Sequence, residues 1–106
     1  MAEISVQGYR VRLERTGQDE FLLSMGRRVV FKTFWKRYSL SRGVVRSLVV
    51  LLRKGEGELS AGDITIRASR LGTTTLLSIP ERGAIHLTPD EVAGLIDMVE
   101  QTLKEE

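Results

Sequence analysis

Two segments of the chain place apolar residues at helical spacing, and both are bounded by helix signals. The clearer one starts at Thr88-Pro89-Asp90-Glu91. Thr88 and Glu91 can each accept a hydrogen bond from the other's backbone N–H, and Pro89 lies where no donor is needed. The apolar stripe that follows consists of Val92, Leu95, Ile96, Val99 and Leu103. The pattern predicts an amphipathic helix of about four turns.

The other helical segment begins after Ser41 and ends at Gly55. Its helical spacing is set by Val45, Leu48, Val49 and Leu52, and its apolar surface is widened by Val44, Val50 and Leu51. A helix that is apolar over so much of its circumference is usually buried on more than one side. We therefore expect it to contact another element or a second copy of the chain, and we take Val44, Leu48 and Leu51 as a candidate dimer interface.

The rest of the chain is rich in β-branched and aromatic residues, which favours strands. The predicted strands cover residues 4–13, 21–25, 29–40, 64–69, 73–79 and 84–87. The turn signals between them are Thr16-Gly17, Gly26, Leu71-Gly72 and Pro80-Glu81-Arg82-Gly83. The predicted order is strands, helix, strands, helix.

Three blocks of the first half recur in the second half in the same order. Residues 11–17 align with 66–72 and keep two arginines and a glycine; residues 22–28 align with 76–82 and keep Leu-Leu-Ser; residues 40–52 align with 87–99. The alternative is that any two strand-and-helix units share apolar positions. The repeat predicts one α+β domain over 1–106, in which two ββ(β)βα pseudo-repeats, 1–55 and 58–106, form antiparallel sheets packed with two helices.

The alignment offset falls from 54 to 47, so the first half has about seven extra residues, the Val-Val-Phe-Lys-Thr-Phe-Trp region. Residues 27–42, which include it, contain no acidic side chain. Their six basic residues are Arg27, Arg28, Lys32, Lys36, Arg37 and Arg42. Four of the six aromatic residues of the chain, Phe31, Phe34, Trp35 and Tyr38, lie in the same stretch.

Rings alternating with cations are typical of single-stranded nucleic-acid binding, because bases stack on rings for about 1–3 kcal/mol each while phosphates need positive charge. The predicted binding residues are Arg27, Arg28, Lys32, Phe34, Trp35, Lys36, Arg37 and Tyr38. Arg10 and Arg12 either extend this surface over neighbouring strands or are ordinary outward-facing residues.

The sequence does not decide which face of this strand is exposed. Lys32, Phe34, Lys36 and Tyr38 share one face, while Phe31, Thr33, Trp35 and Arg37 share the other. A bulge near Phe34-Trp35 would change the register. The alternative is a core strand that buries Phe31 and Trp35 and leaves its lysines solvated.

The net charge of +2 hides an asymmetry, since residues 1–57 carry net +7 and residues 58–106 carry net −5. The absence of cysteine excludes disulfides, thiol nucleophiles and cysteine-bound metals. The longest apolar run spans only residues 48–52, far short of a membrane span, and the N-terminus lacks the pattern of a signal peptide. We expect a cytoplasmic protein without membrane contact, with the nucleoid as a candidate location.

Catalytic signals are weak. His86 is the only histidine and has apolar neighbours, so a structural role is favoured over a Ser-His-Asp arrangement. Helix capping and a solvated helix face account for the acidic residues near the C-terminus, and Gly55-Glu56-Gly57 lacks the ending of a phosphate loop. We expect no enzymatic activity, no metal and no cofactor.

The strand-to-helix junctions resemble those of positive-cofactor-four-type transcriptional coactivators. The similar stretches are Gly83-Ala84-Ile85-His86-Leu87-Thr88-Pro89-Asp90-Glu91 and, more loosely, Lys36-Arg37-Tyr38-Ser39-Leu40-Ser41. The duplication is similar to the wider set with Whirly and PUR-repeat proteins. The resemblance implies binding of single-stranded DNA or RNA along the sheet, often with dimerisation through the helices. It places Lys36 and Arg37 at the family's basic positions, whereas Gly83-Ala84 lacks the basic residue.

The sequence therefore predicts a single-stranded nucleic-acid-binding protein of low sequence specificity, with DNA favoured over RNA, with a role in transcription or genome maintenance and with homodimerisation through the helices. The alternative is a protein-interaction or oligomerisation module, in which the first helix and the basic half dock onto an acidic partner or the acidic half of another copy.

Overall fold

The computed structural model describes residues 2–62, 64–79 and 83–104. It confirms the α+β class, with two four-stranded antiparallel sheets and two helices. In each sheet the strands lie in chain order. The first half consists of β1 (Ala2–Val6), β2 (Tyr9–Arg15), β3 (Glu20–Val29), β4 (Lys32–Ser41) and α1 (Arg42–Lys54). The second half consists of β5 (Gly57–Ala61), β6 (Ile64–Leu71), β7 (Thr74–Ile79), β8 (Gly83–Leu87) and α2 (Pro89–Lys104).

Both predicted helices are confirmed, together with the signals that bound them. The Ser41 hydroxyl accepts from the Val44 N–H at 3.3 Å, and Gly55 ends α1 in the left-handed conformation at φ 73°. At the start of α2 the Thr88 N–H donates to the Glu91 carboxylate at 2.9 Å, and the Glu91 N–H donates to the Thr88 hydroxyl at 3.2 Å.

Two strand predictions near the N-terminal ends of the halves are wrong. The predicted strand 4–13 is two strands, β1 and β2, joined by a two-residue turn at Gln7 (φ 49°) and Gly8 (φ 83°). In the second half the sequence analysis predicts no strand before residue 64 and places Gly57 between the halves, whereas the structure has β5 there. β5 begins at Gly57 and pairs with β6 from Gly57↔Ala68 to Ala61↔Ile64.

The predicted turn at Gly26 is also wrong, since β3 continues through Gly26 to Val29 and turns only at Val30-Phe31. Val29 therefore ends β3 instead of starting the next strand. A Cβ at Gly26 would lie 2.9 Å from two carbons of the Trp35 ring, so the glycine is needed for close approach of that ring. The predicted turn at residues 80–82 lies outside the described residues.

The two halves share one core. α2 packs on β1 and β2 of the first sheet as well as on β7 and β8, while α1 packs on β5 as well as on β3 and β4. Side chains of both sheets and both helices surround a central apolar cavity of about 50 Å³, among them Leu23, Leu48, Leu77 and Leu95. Each helix is thus covered by both halves of the chain.

This packing accounts for the wide apolar surface of α1. Only 7% of the surface of Leu48 and 6% of that of Leu51 are exposed, and Val44 is half-buried. The structure therefore places Leu48 and Leu51 in the core of the chain and not on a surface that a second copy could contact. Val50, on the opposite side of the helix, is the large apolar residue of α1 that remains exposed.

Both halves contain a cross-strand ion pair at equivalent positions. Glu3 of β1 lies opposite Arg12 of β2, and Glu58 of β5 lies opposite Arg67 of β6. The nitrogen–oxygen distances are 3.1 Å and 2.8 Å. Both residues of the pair recur at an offset of 55, and the surrounding Glu-Ile-Ser and Glu-Leu-Ser sequences are the signal that would have identified β5.

Candidate nucleic-acid interface

The seven extra residues of the first half form the end of a long hairpin. β2 pairs with β3 only as far as Tyr9↔Arg27, whereas β3 and β4 continue to pair up to Val29↔Lys32. The tip of this hairpin is highly exposed, with 74% of Val30 and 95% of Phe31 accessible. The interpretation in which Phe31 is buried in a core strand is therefore wrong.

The predicted binding residues separate onto the two faces of the first sheet. The register between β3 and β4 is continuous, without a bulge, and Leu40 points into the core. Alternation along the strands then fixes every other side chain. The outer face, away from the helices, presents Arg10, Arg12, Arg28, Trp35 and Arg37; the inner face presents Arg27, Lys32, Phe34, Lys36 and Tyr38.

Trp35 and Arg12 form the centre of the outer face. The Trp35 ring leans across β3 above Gly26, and the guanidinium carbon of Arg12 lies 4.3 Å from the ring centroid. The Nε of Arg12 is buried and lies 3.1 Å from a Glu3 carboxylate oxygen, but the contact is an ion pair without hydrogen-bond geometry. A planar ring and a planar cation are thus stacked on a half-exposed surface.

Further cations surround this stack. Arg37 is two residues from Trp35 on β4, and Arg28 lies opposite Thr33, two residues from Trp35 in the other direction. Residues two apart on a strand are about 7 Å apart, so guanidinium groups lie on both sides of the ring. Neither Arg28 nor Arg37 forms an ion pair or hydrogen bond with the described residues.

The inner face carries a second row of rings and cations beyond the helices. Tyr9, Arg27 and Phe34 lie side by side on β2, β3 and β4. The Arg27 guanidinium lies 5.9 Å from the Tyr9 ring, and the Lys32 ammonium lies 5.5 Å from the half-exposed Phe34 ring. These pairs bring rings and positive charge together at the hairpin end of the inner face.

Tyr38, a predicted stacking residue, is in the core. Only 7% of its surface is exposed, and it lies opposite Leu23 on β3. Burial leaves its ring no face on which a base could stack. Lys36 is half-buried, with its ammonium 5.8 Å from the Tyr38 ring.

Two other arginines of the basic half hold loops together. Arg42 donates to the backbone oxygens of Leu103 and Gln18, each at 3.0 Å, and pairs with Asp19 at 3.2 Å. Arg15 donates to the Gly17 oxygen at 3.0 Å. These guanidinium groups fasten the β2–β3 loop and α2, so they contribute little to a surface for a ligand.

The described residues give no support for a metal site or a membrane span. Within 2–62, 64–79 and 83–104, no three or more His, Cys, Asp or Glu side chains are grouped in a way that could hold a metal ion. His86 is exposed on the outer face of β8. Among the described helices, neither has the length and apolar character needed to cross a membrane.

Sequence reasoning missed three residues that contact the predicted binding residues. The sequence alone does not connect Glu3 with Arg12, because it predicts a single strand where β1 and β2 lie. It predicts a turn at Gly26, and Tyr9 lies outside the basic segment. The recurrence of the Glu–Arg pair at one offset was an available signal for Glu3. No family model, curated protein or solved structure matches the chain significantly.

Proposed function

We propose that this protein binds single-stranded nucleic acid, preferentially DNA, on the outer face of its first sheet and with little sequence specificity. One observation carries the proposal: the guanidinium of Arg12 lies over the half-exposed Trp35 ring, which is flanked by Arg28 and Arg37, two arginines without an ion pair or hydrogen bond to the described residues. Rings and guanidinium planes both stack on bases, and the flanking charges suit the phosphates.

Nucleic-acid binding also explains why the outer face keeps side chains whose arrangement is unfavourable for folding. Side chains of like charge on neighbouring strands repel one another, and the half-exposed Trp35 ring lacks part of the stabilisation that full burial would give. Arg28 and Arg37 lack acidic partners among the described residues, so a polyanion would supply the missing negative charge. Low specificity follows, because stacking and phosphate contacts do not depend on base identity.

The single tryptophan of the chain makes the test direct, since its fluorescence reports on Trp35 alone. A single-stranded DNA oligonucleotide titrated at low salt should quench this fluorescence to saturation. The affinity should fall steeply as salt rises, with about 0.7 counterions released per phosphate contact. Duplex DNA of the same sequence should compete poorly, because its bases cannot reach the ring.

Absence of saturable quenching at low salt, or equal competition by duplex DNA, would contradict the proposal. A parallel titration with a single-stranded RNA of the same sequence decides between DNA and RNA. Anisotropy of a labelled strand confirms that quenching follows binding.

The hairpin tip favours a second candidate, a protein-interaction module. Val30 is a β-branched residue at φ 56°, a conformation that costs about 1–3 kcal/mol, and its neighbour Phe31 is almost fully exposed. An exposed apolar tip held in a strained turn suits docking onto a protein partner or a second copy. Sedimentation of the wild type and of Phe31→Ser at several concentrations tests this: self-association that the substitution abolishes, without oligonucleotide binding, would favour this candidate.

A further inference from the structure

A shallow pocket lies next to Trp35 on the outer face of the first sheet. It has a volume of about 140 Å³, equivalent to roughly ten water-sized positions. Its lining includes Ser5, Gly8, Arg10, Gly26, Arg28 and Thr33. Gly26 also lies under the Trp35 ring, so the pocket and the ring share a wall.

The two cations of the pocket have donors to spare. Arg28 has no ion pair or hydrogen bond with the described residues. Arg10 is more than half exposed and lies 3.9 Å from a carboxylate oxygen of Glu3, whose other oxygen lies closer to Arg12. The pocket therefore carries positive charge that the described residues compensate only in part.

The remaining walls add neutral hydrogen-bond donors. Ser5 on β1 and Thr33 on β4 point to the outer face, and the hydroxyl of neither bonds to a described residue. At Gly8 a Cβ would meet nothing within 4 Å, so the turn leaves this side of the pocket open. Two guanidinium groups and two hydroxyls around one opening match a group with several acceptor oxygens and negative charge.

We propose that this pocket is a phosphate-binding subsite, which holds a phosphate adjacent to the base stacked on Trp35. The link to a strand rests on the proposed function, whereas the phosphate chemistry of the pocket stands apart from it. The phosphate comes either from an internal phosphodiester of the strand or from a terminal phosphomonoester.

The first experiment uses inorganic phosphate alone and reads the backbone amide resonances of Gly8 and Gly26 by NMR. Phosphate should shift both resonances to saturation, and chloride at the same ionic strength should not. The Arg10→Gln/Arg28→Gln double variant should lose the shift, whereas Arg67→Gln, an exposed arginine of the second sheet, should keep it. An absent shift in the wild type, or an equal one in the double variant, overturns the subsite.

The second experiment identifies the source with short single strands that each carry one uncharged methylphosphonate linkage. If the phosphate is internal, one linkage position should cost about tenfold in affinity in the wild type and nothing further in the double variant. If it is terminal, a 5′- or 3′-phosphate should raise wild-type affinity about tenfold and leave the double variant unchanged.

Equal cost at every linkage, with no gain from either terminal phosphate, overturns the subsite while leaving strand binding intact. Failure of every strand to bind rejects the proposed function instead, and the inorganic phosphate titration still decides the fate of the pocket.

Discussion

The outer faces of the two sheets have the same backbone plan and different side chains. In the first sheet a row across the strands reads Arg12, Ser24 and Arg37; the equivalent row in the second sheet reads Arg67, Ser78 and Ala84. Both arginines at the start of these rows pair with a glutamate on the edge strand. Among the described residues, only the first sheet adds an aromatic ring and further cations to this face.

The ring comes from the seven extra residues of the first half, whereas Arg37 replaces Ala84 at a position that both halves share. Trp35 belongs to the extra residues of the first half, so the second half has no counterpart to it. Within the described part of the second sheet, the outer face has one arginine, Arg67, and no Phe, Tyr or Trp. The second sheet therefore offers control positions for substitutions in the first.

Removal of the Trp35 ring should have the largest effect on the affinity for a single strand. Trp35→Ala should weaken binding of a labelled single strand about fivefold to 150-fold, because one stacked base contributes about 1–3 kcal/mol. Trp35→Phe should restore part of the loss. The measurement is fluorescence anisotropy, and the matched variant on the second sheet, His86→Ala, should bind like the wild type. An equal loss in both variants would place binding elsewhere.

Gly26→Ala should lower the stability of the protein, because the substitution disturbs the packing of the first sheet. The added Cβ would lie 2.9 Å from the Trp35 ring and 3.0 Å from a Thr33 methyl group, so the ring must move. We expect a loss of about 1–3 kcal/mol in the free energy of unfolding, measured with urea. Gly43→Ala is the control, because its Cβ would meet only the Ser41 hydroxyl at 3.9 Å and alanine favours the helix. Wild-type stability of Gly26→Ala would show that the close approach is unimportant.

Arg37→Gln should weaken binding about threefold to fivefold at low salt. It should also flatten the slope of log affinity against log salt by about 0.7, the expectation for one phosphate contact on a single strand. Anisotropy titrations at several salt concentrations give both numbers. Arg67→Gln should change neither, since its guanidinium is already paired with Glu58. Equal salt slopes for Arg37→Gln and the wild type would exclude Arg37 from the interface.

The smallest expected effect concerns the duplicated carboxylates. Glu3→Gln removes the charge that partly neutralises Arg10 and Arg12, so affinity for a single strand should rise about twofold. Glu58→Gln should leave affinity unchanged. A rise in both variants would mean that net charge, and not the first sheet, controls binding.

Much of the fold can be predicted because its signals lie in short segments of the sequence or in the repeat. The capping residues Ser41 and Thr88 mark both helix starts, and the change of offset between the repeats locates the hairpin extension. The sequence has no strong local signal for the turn at Gln7-Gly8 or for the strand that starts at Gly57, and the only indication of that strand is the repeat of the Glu–Arg pair. Gly26 was misassigned because the contact that requires a glycine comes from Trp35, on the neighbouring strand.

The site was predicted as a segment and not as a surface. Of the ten predicted binding residues, five lie on the outer face and five on the inner face, where Tyr38 is buried. The prediction also overlooked the Glu3 carboxylate, which belongs to a distant strand pair. Such neighbours arise from strand pairing between separate segments, which composition along one segment does not contain.

By itself, the sequence determined two strand-and-helix halves and the concentration of rings and cations in one of them. Only the tertiary structure decided which rings face solvent. Rings and cations occur on both alternating faces of β4, so the local pattern is the same for either orientation. The choice depends on which face gains more by packing against the helices, and burial of Leu40 and Tyr38 in the shared core turns Trp35 outward.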